Sequence, residues 1–294
     1  MARLAYLGTP DMAVAPLRAL VAAGHEVILC VTRPDRRRGR GAQTTPSPVK
    51  EAAGELGIRV SHDMADIAGA GAELAVVVAY GRIIPAALLV QVPMVNLHFS
   101  LLPRWRGAAP VERAILAGDT ETGVCLMKVE EGLDTGPLYA VRAIPLDEEV
   151  TLDALRVQLV EVGCALLVDA LSGGVAGLPA PVPQRGVPTI AEKVTAEDLH
   201  LDWAQSAVQL GRVVRLGRAW TTFRGRRVRV LDAARGPEAP ELSARAPGTT
   251  HGPSVATGDG VLVLRRVQPE SRSPMSAEAW LRGVHPAAGE RLGR

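Results

Sequence analysis

Cysteine is scarce. The three in this chain of 294 residues, Cys30, Cys125 and Cys164, lie far apart and form no Cys-x-x-Cys. That spacing argues against a disulfide framework or a zinc site and fits a reducing cytosol. Aromatic residues are also few, at 3%. No apolar run approaches the roughly 18 residues that suggest a membrane span. The opening Met1-Ala2-Arg3-Leu4-Ala5-Tyr6-Leu7-Gly8 carries one basic residue and too short an apolar stretch for a signal peptide, so a cytoplasmic location is expected. Lysine is nearly missing, with Arg outnumbering it 30 to 3, which reads mainly as a composition bias of the genome. The histidines His25, His62, His200, His251 and His285 show no ligand spacing, and no metal is expected.

What remains is ordinary for a folded protein. Hydrophobic residues make up 47% and charged residues 22%, enough for a sizeable core and too little charge for wholesale disorder. The length sets a prior of two domains. The net charge of +2 hides an asymmetry. Residues 1–200 hold 18 basic and 23 acidic residues, whereas 201–294 hold 15 and 8. A mildly acidic part joined to a basic one points to a polyanion as partner of the second part, with solvated arginine as the even alternative.

The first half alternates strand and helix signals. Apolar runs at 3–8, 26–32, 74–78 and 94–97 read as buried strands, with helices at 10–23, 49–56 and 83–89 between or beside them. That rhythm predicts a Rossmann-like, doubly wound, mostly parallel α/β sheet. A further helix starts after Thr151, where Leu152, Leu155, Leu159, Val162 and Leu166 recur at three-four spacing. Residues 173–188 then hold four prolines, which suits an extended linker. Beyond it a helix near 204–216 and short strands at 228–231, 254–256 and 261–267, with Gly258-Asp259-Gly260 as a tight turn, predict a small β-barrel. The resulting division is a catalytic domain over 1–184, a linker over 185–203 and a basic OB-like β-barrel over 204–294.

Chemistry concentrates in two stretches. Asn96 and His98 stand two apart at the end of an apolar strand, so their side chains share a face at the sheet end where such folds bind ligands. Asp134 lies in Gly132-Leu133-Asp134-Thr135-Gly136. Alone, each stretch reads as a strand end or a turn. Together they offer an amide donor, a group that exchanges protons near neutral pH and a carboxylate to orient it. Acyl transfer to an amine needs those parts. Ser100 stands near His98 but lacks a Gly-x-Ser-x-Gly elbow, so direct attack by a substrate amine is the simpler scheme. A third stretch, residues 33–40, packs five arginines (Arg33, Arg36, Arg37, Arg38 and Arg40) among eight residues. It reads as a cationic loop able to bind phosphates and stack on unpaired bases, or as a solvated charge run. Gly39 and Gly41 within it form no Gly-x-Gly-x-x-Gly, and neither does Gly8-Thr9-Pro10-Asp11 after the first strand.

The run Asn96-Leu97-His98-Phe99-Ser100-Leu101-Leu102-Pro103-Arg104-Trp105-Arg106-Gly107-Ala108-Ala109-Pro110, followed by Gly132-Leu133-Asp134-Thr135-Gly136, resembles the signature of the methionyl-tRNA formyltransferases, within the wider formyltetrahydrofolate-dependent family. Nearly the whole chain shares the resemblance, including Gly8-Thr9-Pro10-Asp11, Pro46-Ser47-Pro48-Val49-Lys50, Val78-Ala79-Tyr80-Gly81 and Leu201-Asp202-Trp203. The resemblance implies Asn96, His98 and Asp134 as the catalytic group. It places the folate beside Ser100, Leu101, Leu102 and Pro103, with apolar walls near residues 78–84. It implies 10-formyltetrahydrofolate as co-substrate, methionyl initiator tRNA as acceptor, no membrane partner and a monomer. The arginine loop is implied to read the acceptor end of the tRNA, with Arg224, Arg226 and Arg227 of the run from Arg212 to Arg229 on its phosphates. Two departures stand out: Phe99 occupies a position where the family usually has a small residue, and Leu216-Gly217-Arg218-Ala219-Trp220 lacks a longer insertion. Two other readings compete. A formyltransferase for a small amine leaves the basic part unexplained, and a non-catalytic RNA-binding protein leaves Asn96, His98 and Asp134 unexplained.

Overall fold

Five apolar segments of the first hundred residues line up as parallel strands: β1 (Arg3–Gly8), β2 (Glu26–Val31), β3 (Val60–Ser61), β4 (Leu74–Val78) and β5 (Met94–His98). The computed structural model that shows this describes residues 1–37, 44–237, 239–287 and 289–294, the side chains of Arg36, Arg37 and Pro240 excepted. Two further strands, β6 (Glu121–Lys128) and β7 (Leu138–Pro145), extend the sheet antiparallel at one edge. The order is β7-β6-β5-β4-β1-β2-β3. Successive residues of β1, Leu4 to Leu7, are all fully buried, as a sheet covered on both faces requires. The winding reverses between β1 and β4, and ligands of such sheets bind beyond the carboxyl ends of the strands. His98 is the last residue of β5.

Local chemistry sets the helix starts. Pro10 (φ −79°, ψ 172°) stands before a short 3-10 turn, and α1 (Val14–Ala22) follows it. The proline therefore precedes the helix and does not open it. Ser47 caps α2 (Pro48–Glu55), its Oγ accepting the Lys50 N–H at 3.1 Å. The helix expected at 83–89 is α3 (Ala86–Gln91), displaced because Pro85 is extended (ψ 140°) and disfavours helical backbone in the residue before it. Two more helices follow, α4 (Pro110–Ala117) and α5 (Leu152–Leu171).

The chain divides into two compact units: residues 1–111, 121–145 and 155–192, and residues 112–120, 146–154 and 193–294. The second unit is built on an antiparallel sheet of β8 (Trp220–Phe223), β9 (Arg226–Arg235), β10 (Thr250–His251), β11 (Ser254–Ala256), β12 (Val261–Pro269) and β13 (Met275–Ser276). Its order is β8-β9-β12-β11-β10, with β13 beside β12. Ser206 and Ser276 cap its helices α6 (Ala207–Arg215) and α7 (Ala277–Val284). Leu210, Val214, Val230, Leu264 and Trp280 meet in one apolar core. The β8–β9 hairpin turns on Arg224 and Gly225, both at positive φ (50° and 71°), the geometry of a two-residue turn that follows the strand twist.

Phe99 directly follows β5 and is 4% exposed, in accord with a side chain turned from the His98 face into the interior. Phe99→Ala should cost about 3–5 kcal/mol. Urea unfolding checks this as a lower midpoint at an unchanged slope.

Candidate active site

The parallel register pairs Asn96 with Val77, and the antiparallel register pairs His98 with Cys125 and Asn96 with Met127. Asn96 is thus paired on both sides and His98 on one, which fixes the backbone beneath their side chains. The loop between β6 and β7 folds back so that the Asp134 carboxylate reaches both residues. Asn96 Nδ2 donates to Asp134 Oδ1 at 3.4 Å, and His98 Nδ1 lies 3.6 Å from Asp134 Oδ2. The second distance is that of an ion pair, too long for a hydrogen bond. The His98 and Asp134 side chains are 6% and 12% exposed, so little solvent screens them. The structure therefore brings the three expected residues together.

His98 is held on its other side as well, by a group that the sequence did not point to. Its Nε2 lies 2.9 Å from the carbonyl oxygen of Trp105. A carbonyl only accepts, so Nε2 carries the hydrogen. Nδ1 then faces an Asp134 carboxylate oxygen at 3.6 Å. Trp105 is held by its backbone: φ is 64°, and its N–H donates to Thr189 Oγ1 at 2.9 Å. Asp134 itself sits at φ 49° and accepts the Gly107 N–H on Oδ2 at 2.8 Å. Gly107 has φ 121°, and a Cβ there would lie 2.9 Å from the Ala191 carbonyl oxygen, so glycine is required where the backbone meets the carboxylate.

No thiolate nucleophile stands nearby. Cys125, the register partner of His98, is buried, and burial pushes its thiol up to about 11, which keeps it protonated at neutral pH. The Ser100 hydroxyl is fully buried and donates to the Arg104 carbonyl at 2.6 Å, so it shapes the turn after β5. Leu102 packs with Cys125 and Met127. Pro103 is buried and Leu101 half-buried. Among the described residues no cluster of His, Cys, Asp and Glu could hold a metal.

The arginines expected on tRNA fall into different settings. Arg33 follows β2 and is half-buried. Backbone pairing joins Arg36 to Thr45 and Arg37 to Thr44, and Lys50 Nζ bonds Asp35 Oδ2 at 2.6 Å close to this ribbon. Arg38 and Arg40 lie outside the described residues. In the second unit Arg224 is engaged internally, bonding both carboxylate oxygens of Glu290 at 2.6 and 2.8 Å and the Val284 carbonyl at 3.1 Å. Arg212 bonds Gln209, Arg215 bonds the Asp147 and Val150 carbonyls, and Arg229 bonds Gln268. Arg227 stacks on the Trp220 ring at 4.4 Å. Arg226 is exposed, and its side chain makes no hydrogen bond or ion pair among the described residues.

The Arg224 hydrogen bond, helped by the Ala287 N–H, lowers the Glu290 carboxyl to about 2. A carboxyl held below its unfolded value stabilises the fold above that value and ceases to do so as pH falls through the folded one. Glu290→Gln should therefore melt lower than the native chain at pH 7, and the gap should close as pH falls from about 4.3 toward 2. Parallel melts across that range provide the check.

An amide, an imidazole and a carboxylate thus meet at a strand end of a mixed, largely parallel sheet, with no nucleophile placed beside them among the described residues. The chain belongs to the formyl transferase family. Residues 2–171 match the formyl transferase family model and residues 193–285 its C-terminal domain model. Relatives named methionyl-tRNA formyltransferase include one from Dinoroseobacter shibae, 42% identical over 96% of this chain and 97% of its own length. Another, from Arthrobacter, is 42% identical over 96% of each chain. The fold is shared with the N-formyltransferase from Helicobacter canadensis, solved with folinic acid and dTDP-3-aminofucose, at a TM-score of 0.70, 14% identity, and 90% and 99% coverage of this chain and that one. It is shared too with HypX from Aquifex aeolicus, solved with tetrahydrofolic acid, at a TM-score of 0.64 and 18% identity. The alignment covers 99% of this chain but about half of that one, 48%. No described helix is long and apolar enough to cross a membrane.

Proposed function

We propose that the protein transfers the formyl group of 10-formyltetrahydrofolate to the α-amino group of methionyl initiator tRNA. The observation that carries this is the Asn96, His98 and Asp134 group at the end of β5, in a chain that matches proteins named for that activity at 42% identity over 96% of its length. The folate carrier supplies an activated formyl carbon. The acceptor amine attacks as the free base, a usable fraction near neutral pH because α-amino groups titrate near ~7.7–8.0. Attack forms the new N–C bond and places negative charge on the formyl oxygen. One N–H of the Asn96 amide points to Asp134, which leaves the other for that oxygen. His98 in its protonated form lies beside Asn96 to add a second donor. As the bond from the formyl carbon to the carrier nitrogen breaks, His98 delivers its proton to that nitrogen, and the imidazole so left neutral takes the proton that the attacking amine loses. Asp134 holds the imidazolium in place. Apolar Leu101, Leu102 and Pro103 beside this group suit the ring system of a folate.

Residues 1–184 act as the catalytic region, 185–203 join it to the rest, and 204–294 hold tRNA on a small OB-like barrel. Antiparallel strands packed on an apolar core and exposed Arg226 and Arg227 support that reading. The arginine stretch from Arg33 to Arg40 meets the acceptor end. The enzyme works as a cytoplasmic monomer. The deciding experiment measures formyl incorporation into charged initiator tRNA with and without 10-formyltetrahydrofolate. Formylation of a small amine but not of the tRNA would favour the small-amine reading, and binding without incorporation the non-catalytic one.

A further inference from the structure

The proline-rich stretch after α5 reads in sequence as a linker, yet it runs through the site. The Ile190–Ala191 pair lies parallel to Arg106–Gly107, and Val182 exchanges both backbone hydrogen bonds with Leu138 at 2.8 Å. Between these two contacts stands Gln184, and its carboxamide is fully used. Nε2 donates to the carbonyl oxygens of Asp134 and Gly136, each at 2.8 Å. Oε1 accepts from Arg106 Nε at 3.1 Å and Nη2 at 2.6 Å. An amide has two donor hydrogens and two acceptor lone pairs, so every bonding position of this one is committed.

The partners are the two loops that hold His98. One runs from Pro103 to Gly107 and carries the Trp105 carbonyl on His98 Nε2, and the other carries Asp134 opposite Nδ1. The Gly107 N–H on Asp134 is one tie between these loops, and the Gln184 carboxamide is another, bonding both. It also binds the carbonyl of Asp134, a non-glycine residue at φ 49°, a backbone state that persists only where its surroundings fix it.

We propose that Gln184 is a positioning residue for formyl transfer: one side-chain amide ties the Asp134 loop to the Arg106 loop and so sets the carboxylate against His98. It touches none of the reacting atoms and acts through Asp134. This rests on the transfer reaction proposed above.

Three expectations follow. Gln184→Ala frees both loops, and kcat should fall by at least 10-fold while KM for tRNA and for folate changes less than about threefold. Gln184→Glu keeps the size and the Arg106 pairing but sets acceptors against the Asp134 and Gly136 carbonyls, so it should lose as much turnover as Ala. In an Asp134→Ala background, Gln184→Ala should lower kcat less than about twofold further, because the residue that it positions is gone. Wild type is assayed first. A wild type that transfers no formyl group overturns the reaction and leaves the positioning question to the His98 imidazole NMR signals, which Gln184→Ala should shift and which unchanged would overturn the inference. An active wild type with a Gln184→Ala kcat within twofold, a rise confined to KM, or a full additive loss on top of Asp134→Ala overturns the positioning role. If Gln184→Ala fails to fold, Gln184→Glu decides by the same criteria.

Discussion

His98→Ala should lower formyl transfer by about 100-fold or more, the usual size of a lost oxyanion donor, with a further loss from the missing proton. The residue ends β5, and its ring bridges two loops, not two layers of the core. The variant should still unfold cooperatively, at a small cost in stability because the Trp105 carbonyl loses its 2.9 Å donor and keeps only the long contact from Ser100 Oγ at 3.5 Å. Asn96→Ala and Asp134→Ala should each cost a similar order in rate. The three losses should not add. With His98 gone, Asp134 has no imidazolium to hold, so the double variant should lie close to His98→Ala alone. Single-turnover formylation with saturating co-substrate isolates the chemical step. A His98→Ala enzyme with near-normal turnover would overturn the mechanism.

Asn96 and His98 were legible because a period-two strand allows only one arrangement of residues two apart, and because β5 ends where its apolar run ends. Asp134 was legible as a carboxylate between glycines, although its reach to His98 depends on how the loop folds back. Gln184 was not legible. Its partners lie 50 and 48 residues away, and its neighbours are prolines that signal only the absence of a helix. The antiparallel strands β6 and β7 escaped for another reason. Residues 122–127 are buried without a break, so β6 shows no alternation, and a short continuous apolar run does not separate strand from helix. The arginines show a third limit. Composition counts Arg224 and Arg226 alike, yet one is bound to Glu290 and the other is open to solvent.

That difference sharpens how the tRNA should be held. Exposed arginines on a unit without a catalytic candidate should contact phosphates, and such contacts give affinity without sequence preference. Arg226→Ala with Arg227→Ala should weaken initiator and elongator methionyl-tRNA alike. Each lost phosphate contact should flatten the slope of log affinity against log salt by roughly 0.7–0.9. Adding Arg224→Ala should change that slope little, because its charge is already spent on Glu290; its effect should appear in the melting temperature. The stretch from Arg33 to Arg40 should behave differently. It follows β2 on the sheet that carries β5, and guanidinium groups pair bidentately with phosphates and stack on unpaired bases. Replacing Arg36, Arg37 and Arg38 with Ala should reduce formylation more than binding, and it should narrow the preference for initiator over elongator tRNA. Formylation and binding of both tRNAs across a salt series, for each multiple variant, separate the two roles. If the variant at positions 36–38 loses binding equally for both tRNAs and keeps its selectivity, that stretch is one more phosphate contact, and discrimination resides elsewhere in the chain.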